Sequence, residues 1–378
     1  MHCDYFDAGR CRSCALMGVP YAVQLADKQA GVEAALRAVA PGATWHEPFA
    51  GAESGFRNKA KLVVGGRAGG VTLGILDGDR RGVDLRRCGL HEPALRAVLP
   101  TLAQILDDLG LEPYDVPAHR GELKYLLLTA SPDDELMLRL VLRTRHHLGA
   151  VRDALPQLMA RVPGLRVVSV NLHPEHKAVL EGDTEVVLTS ATDLPMRVAG
   201  LTLHLRPRSF FQTNTVVAAG LYEQARAWVE ATSPATLWDL YCGVGGFALA
   251  AATTDSPPAH VLGVEVSEEA VDSARRSADA LGLGAVVDVV AGDATLVTHG
   301  ARPAADLVVV NPPRRGIGDL AGWLEASSVG HVVYSSCRVE SLARDLAAMP
   351  SLRVREARLF DMFPQTTHHE VMVRLERR

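Results

Sequence analysis

Long apolar runs are missing from this 378-residue chain. None approaches the roughly 18 residues that a membrane-crossing helix requires, which excludes a span of that kind. Residues 1–12 are acidic, polar and cysteine-bearing where an export signal has a basic stretch followed by an apolar one. Cysteine is also scarce. There are six, and three of them crowd into the first fourteen residues, unlike the framework of a disulfide-stapled secreted protein. Metal ligation plus catalysis in a reducing compartment suits that distribution better, and a cytoplasmic location follows. Nor is there an excess of positive charge. With a formal net charge of -5, bulk electrostatics gives no pull on nucleic acid, so any such contact must come from local basic patches. Internal repeats and low-complexity tracts are absent, and nothing marks an obligate protein partner.

What is present is enough for two domains, because single cores stop growing near about 250 residues. Residues 1–205 are predicted to be α+β. Helical spacing runs over 23–39 and 93–109, with strand-like runs at 62–64, 125–129, 136–143 and 167–172. Residues 206–378 change rhythm. Strand-like segments at 237–241, 261–266, 286–290, 307–310 and 332–336 alternate with helical ones such as 268–281. That alternation predicts an α/β domain with a doubly wound, parallel sheet.

The first of those strands runs into Tyr241-Cys242-Gly243-Val244-Gly245-Gly246-Phe247, where a helix begins. Glycines there permit a tight turn and a ligand lying against the backbone, although a plain turn would need no ligand. Glu265 closes the second strand, where a carboxylate can accept from both hydroxyls of a ribose. Together the two features point to a nucleotide-like ligand. The turn departs from the strict Gly-x-Gly-x-x-Gly of pyrophosphate binders, and Asn311-Pro312-Pro313 follows the fourth strand, which favours a methyl donor over a dinucleotide. Asp293, after the third strand, is placed either to accept from an adenine amino group or to cap a helix.

Ser335-Ser336-Cys337 closes the fifth strand and aims Cys337 at the same crevice. A buried small hydrophobe is one reading of such a cysteine. The other is a nucleophile for uracil, whose C5 accepts a methyl group only after a thiolate has added at C6. A base must then remove the C5 proton, and Glu370 is the candidate, with a surface strand position as its alternative. Cys3-x7-Cys11-x2-Cys14 has ligand-like spacing, and Cys88 can supply a fourth thiolate. Zinc and an iron-sulfur cluster suit four thiolates equally. Strand periodicity would put Arg57, Lys59 and Lys61 on one face for phosphates. Arg206, Arg208, Phe210 and Phe211 combine guanidiniums with stackable rings, and Arg314 and Arg315 could engage a nucleotide phosphate.

Cys3-x7-Cys11-x2-Cys14, Gly55-Phe56-Arg57-Asn58-Lys59-Ala60-Lys61, Gly121-Glu122-Leu123-Lys124-Tyr125, Ser209-Phe210-Phe211-Gln212-Thr213-Asn214, the turn from Cys242 to Phe247, Asn311-Pro312-Pro313-Arg314-Arg315-Gly316-Ile317-Gly318 and Ser335-Ser336-Cys337 are spread over nearly the whole chain. As a set they resemble the bacterial 23S ribosomal RNA uracil-C5 methyltransferases of the RlmC type. The resemblance implies a class I, Rossmann-like methyltransferase domain after an α+β iron-sulfur and RNA-binding domain. It implies a [4Fe-4S] cluster on Cys3, Cys11, Cys14 and Cys88, and 23S ribosomal RNA as partner. S-adenosylmethionine would be contacted by Gln212, Tyr241, Glu265 and Asn311, with Gly243 and Asp293 beside it. Cys337 becomes the nucleophile and Glu370 the proton acceptor. Without an oligonucleotide-binding barrel before Cys3, this subtype is favoured over larger relatives. Gln365 stands where His is expected, and Tyr241 where Phe is common. Two alternatives stay open: an amino-group methyltransferase using the Asn-Pro-Pro turn, and a non-catalytic iron-sulfur RNA-binding protein.

Overall fold

Valine and leucine dominate the strands Thr236–Leu240, His260–Glu265, Leu307–Val310 and His331–Ser336, and most of their side chains are buried, as expected for a sheet covered on both faces. In Leu307–Val310 all four residues are buried. Each such side chain contributes roughly 1.5–3 kcal/mol of transfer free energy. In the computed structural model, which describes residues 1–177, 179–297 and 304–378, these strands lie in an eight-stranded sheet. Its strands are β1 (Thr44–Trp45), β2 (Thr236–Leu240), β3 (His260–Glu265), β4 (Val287–Ala291), β5 (Leu307–Val310), β6 (His331–Ser336), β7 (Leu352–Phe360) and β8 (Glu370–Arg377). The order is β1-β7-β8-β6-β5-β2-β3-β4. Strands β2 to β6 are mutually parallel, and β8 runs antiparallel to both β6 and β7.

The connection from β2 goes to β3 on one side, while β5 lies on the other. This reversal opens a crevice at the carboxyl ends of the strands, where open sheets bind ligands. Helices cover the sheet. Glu268–Ala280 starts at Ser267, whose Oγ accepts from Ala270 N at 3.3 Å, and Glu268 and Glu269 favour the positive end of its dipole. Asn214 caps Thr215–Thr232 in the same way, accepting from Val217 N at 3.3 Å.

The chain divides into two compact units, Met1–Cys14 with Glu53–Met196, and Ala15–Ala52 with Arg197–Arg378. A single break at 205 is therefore not what the fold shows. The stretch Ala15–Ala52 belongs with the second unit, because its strand β1 pairs with β7 and its helix Tyr21–Leu36 contributes Val32 and Leu36 to that unit's core. Sequence periodicity locates such a helix without revealing which distant sheet it joins. The first unit is α+β. Its seven-stranded sheet orders Gly82–Asp84, Gly70–Leu76, Lys59–Arg67, Leu123–Ala130, Leu136–Leu142, Leu165–Leu172 and Thr184–Val187. All neighbours are antiparallel except Leu136–Leu142 with Leu165–Leu172, which two short helices connect. Leu95, Leu99, Leu102 and Leu106 of helix Pro93–Asp108 fill its core. Among the described residues no helix is long and apolar enough to cross a membrane.

Candidate active site

At the carboxyl edge of β2 the backbone turns sharply. Tyr241 has φ 70 and Gly243 φ 55, a left-handed conformation that costs a tyrosine of order 1–3 kcal/mol and glycine almost nothing. Gly246 is required for a second reason. A Cβ there would lie 2.3 Å from the Tyr222 hydroxyl, so helix Gly246–Ala251 could not start against that ring. Glu265 Oε2 accepts from Gly243 N at 3.1 Å and Oε1 from Ser267 N at 3.0 Å, so the turn fixes the carboxylate. Beneath it, Asp239 is fully buried and accepts from Ala248 N at 2.9 Å through Oδ2. Its Oδ1 has no partner, and burial pushes its carboxyl up to about 7.

The turn and Glu265 open onto a cavity of about 900 Å³ in the second unit, within the range of small-molecule sites. Gln212, Tyr241, Gly243, Glu265, Asp293 and Asn311 all line it, and so do Cys337 and Glu370. Every residue assigned from the sequence to the methyl donor and to the chemistry thus faces one space. Asp293 also caps locally: its Oδ1 accepts from Thr295 N at 2.9 Å and Thr295 Oγ1 at 2.7 Å, at the start of helix Ala294–Val297. Of the two phenylalanines, Phe211 is buried, whereas Phe210 is 69% exposed at the cavity mouth.

Cys337 is half-buried beyond the end of β6. Burial first, then the Glu370 carboxylate, push its thiol up, while the Arg314 guanidinium and its hydrogen bond oppose that rise. Glu370 opens β8 opposite Phe360 and is fully enclosed, with no partner for Oε2. Burial raises it to about 8, and Arg314 again pulls the other way. Arg314, read from the sequence as a candidate phosphate contact, here sits against both Cys337 and Glu370. Asp345, overlooked in the sequence, anchors the turn that carries Arg314. It is buried and accepts through Oδ2 from Ile317 N at 2.9 Å and from the Tyr334 hydroxyl at 2.8 Å.

In the first unit Cys14 is buried, and Cys3, Cys11 and Cys88 are half-buried, all as free thiols. Burial, then Cys88, Cys11 and Cys3, push the Cys14 thiol up to about 11 against the nearby Arg57 cation. The four sulfurs therefore share one electrostatic neighbourhood. No group of three or more His, Cys, Asp or Glu among the described residues is arranged to hold a metal ion. The basic stripe is less open than its sequence suggested. Arg57 donates to Lys59 O at 3.1 Å, and Lys59, lowered to about 8 by burial, is half-buried, which leaves Lys61 exposed.

The tRNA (Uracil-5-)-methyltransferase family profile matches residues 183–378. A relative from Halothiobacillus neapolitanus, "23S rRNA (uracil(747)-C(5))-methyltransferase RlmC", is 48% identical over the whole of both chains. The chain belongs to the RNA uracil-C5 methyltransferase family. An RlmC of Cronobacter sakazakii is 46% identical, again over the whole of both chains. Among solved structures, Pyrococcus abyssi tRNA (uracil-54, C5)-methyltransferase in complex with S-adenosyl-L-homocysteine aligns with a TM-score of 0.79. It covers 96% of this chain and 85% of that one at 24% identity, which establishes the shared fold. For a family member the cavity's contents are coherent: Cys337 follows β6 and Glu370 opens the adjacent β8, and both line the same space as the glycine turn and Glu265.

Proposed function

We propose that this protein methylates C5 of a uridine in 23S ribosomal RNA, at the site equivalent to the uracil 747 named for its relatives. The carrying observation is that Cys337, Arg314 and Glu370 meet in the cavity that also holds Gly243 and Glu265. S-adenosylmethionine, when bound, supplies an electrophilic methyl group. Gln212, Tyr241, Glu265 and Asn311 would hold it, with the ribose hydroxyls toward Glu265. The left-handed glycine turn, which lines the cavity beside Glu265, fits a polar ligand laid against the backbone.

Arg314 stabilises the Cys337 thiolate, which adds to uracil C6 and drives the ring electrons toward C5. Once C5 carries the methyl group, Glu370 takes the C5 proton. That electron pair re-forms the C5–C6 double bond and expels the thiolate. A carboxyl raised by burial is well matched to the task near neutral pH, since an efficient base has a pKa close to the working pH. An amino-group methyltransferase would leave both Cys337 and Glu370 without a task. The first unit is proposed to hold a [4Fe-4S] cluster on Cys3, Cys11, Cys14 and Cys88, supported by the grouping of the four thiols beside Arg57. Its role would be structural, because the thiols and Cys337 lie in different units.

The test is methyl incorporation from labelled S-adenosylmethionine into a 23S fragment containing uridine 747. Label should enter that fragment and not its counterpart with cytidine at the same position. Equal labelling of both would refute the substrate assignment.

A further inference from the structure

Strand β7 ends at Phe360 and β8 begins at Glu370, so residues 361–369 form the loop that delivers the base. That loop is gripped from below by a side chain more than 300 residues earlier in sequence. Lys28, on helix Tyr21–Leu36, has a side chain only 3% exposed. Its ammonium donates to Asp361 Oδ1 at 2.6 Å, to Phe363 O at 3.2 Å and to His368 O at 3.1 Å. An ammonium has three protons, and each has an acceptor here. Asp361 is wholly buried, and its other oxygen accepts from the Tyr21 hydroxyl at 2.8 Å.

One helical turn earlier, Gln24 continues the grip. Its Nε2 donates to Gln365 Oε1 at 3.0 Å, and its Oε1 accepts from Gln365 N at 3.1 Å. Gln365 has φ 67, so this reciprocal pair holds a residue in a left-handed conformation that it would otherwise avoid. The glutamine that departs from the expected histidine therefore has a matched partner.

A buried ion pair is a poor way to gain stability, because apolar residues of similar volume often serve as well. Apolar residues cannot grip two carbonyls on either side of the turn that leads into Glu370. We infer that Lys28 is a positioning residue for the reaction, fixing the 361–369 loop so that Glu370 meets the C5 proton. This inference rests on Glu370 being the base. Lys28 touches neither substrate nor cofactor, and it acts through Phe363 and His368 on the residue that does.

Lys28→Met alone would strand the Asp361 carboxylate, so the informative protein is the double variant Lys28→Met/Asp361→Leu. Its melting temperature should stay within a few degrees of the parent. Misplacing a reacting group by about 1 Å costs roughly 10²-fold in rate, and a fall of that order in kcat is expected. The KM for S-adenosylmethionine should change less than about twofold. Methylated RNA should accumulate covalently on Cys337, because proton removal is the step impaired. Glu370→Gln is run beside it. If Glu370→Gln traps methylated RNA while the double variant turns over at the parental rate without an adduct, the positioning role is overturned and the base assignment stands. If Glu370→Gln itself traps nothing, the base assignment fails and the inference falls with it.

Discussion

Replacing Glu370 by glutamine should make the protein more stable while disabling it, and the gain should grow with pH. Glu370 is 4% exposed and its carboxyl is raised from an ordinary 4.5 to about 8 by burial. A group raised on folding favours the folded state fully below its unfolded value, and that contribution is lost as pH climbs through the folded value. Between 4.5 and 7 each pH unit adds about 1.4 kcal/mol of relative cost to the ionisable side chain, or about 3 kcal/mol at pH 7. Glutamine has a similar shape and no charge to bury. The variant's advantage should be near zero at pH 4 and about 3 kcal/mol at pH 7, with a plateau above pH 8. In calorimetry at pH 7 that corresponds to a rise of roughly 6–12 °C in the transition of the unit containing residue 370. Melting temperatures that run parallel for the two proteins from pH 4 to pH 8 would show that the carboxylate is solvated or paired, and the proposed base would lose its physical rationale.

The rate should also follow pH. Cys337 and Glu370 must both lose a proton and burial raises both, so kcat/KM should climb from pH 6 through pH 8; a flat profile there would contradict the assignment. Glu265→Ala removes charge-assisted hydrogen bonds worth about 1.5–3 kcal/mol and should weaken S-adenosylmethionine binding by roughly 10–10²-fold in calorimetry, with kcat at saturation little changed. Unchanged affinity would move the ribose elsewhere. Cys14→Ser should cost the anaerobically purified protein its iron, sulfide and brown colour, and lower its solubility, before it alters the chemistry at Cys337. Stoichiometric zinc without iron or sulfide in the parent protein would refute the cluster.

Much of the second unit was legible because its signals are local. The buried β-branched strands and the glycine turn each lie within a few residues, and the five central strands fall within about two residues of their predicted limits. The contents of the cavity were legible for a related reason. In a parallel sheet every strand's carboxyl end faces the same crevice, so Tyr241, Glu265, Asn311 and Cys337 converge by topology alone. What escaped the sequence depends on distance. Lys28 and Gln24 read as ordinary amphipathic helix residues, Asp361 went unmarked and Gln365 stood out only as a departure from the expected His, and only the fold makes them buried partners. Arg314 was visible as a cation, but its placement against Cys337 rests on the turn that Asp345 holds. Likewise, no periodicity marks Ala15–Ala52 as part of the second unit's sheet and core.

The most direct test of the central claim uses RNA in which the target uridine is 5-fluorouridine, since fluorine at C5 cannot be removed as a proton and the thiolate cannot leave. Incubated with S-adenosylmethionine, the protein should form a denaturation-stable complex in which mass spectrometry locates the methylated nucleotide on Cys337. Cys337→Ala should form none. A complex that fails to appear with the intact protein, or that persists in Cys337→Ala, would contradict nucleophilic activation of the ring by Cys337.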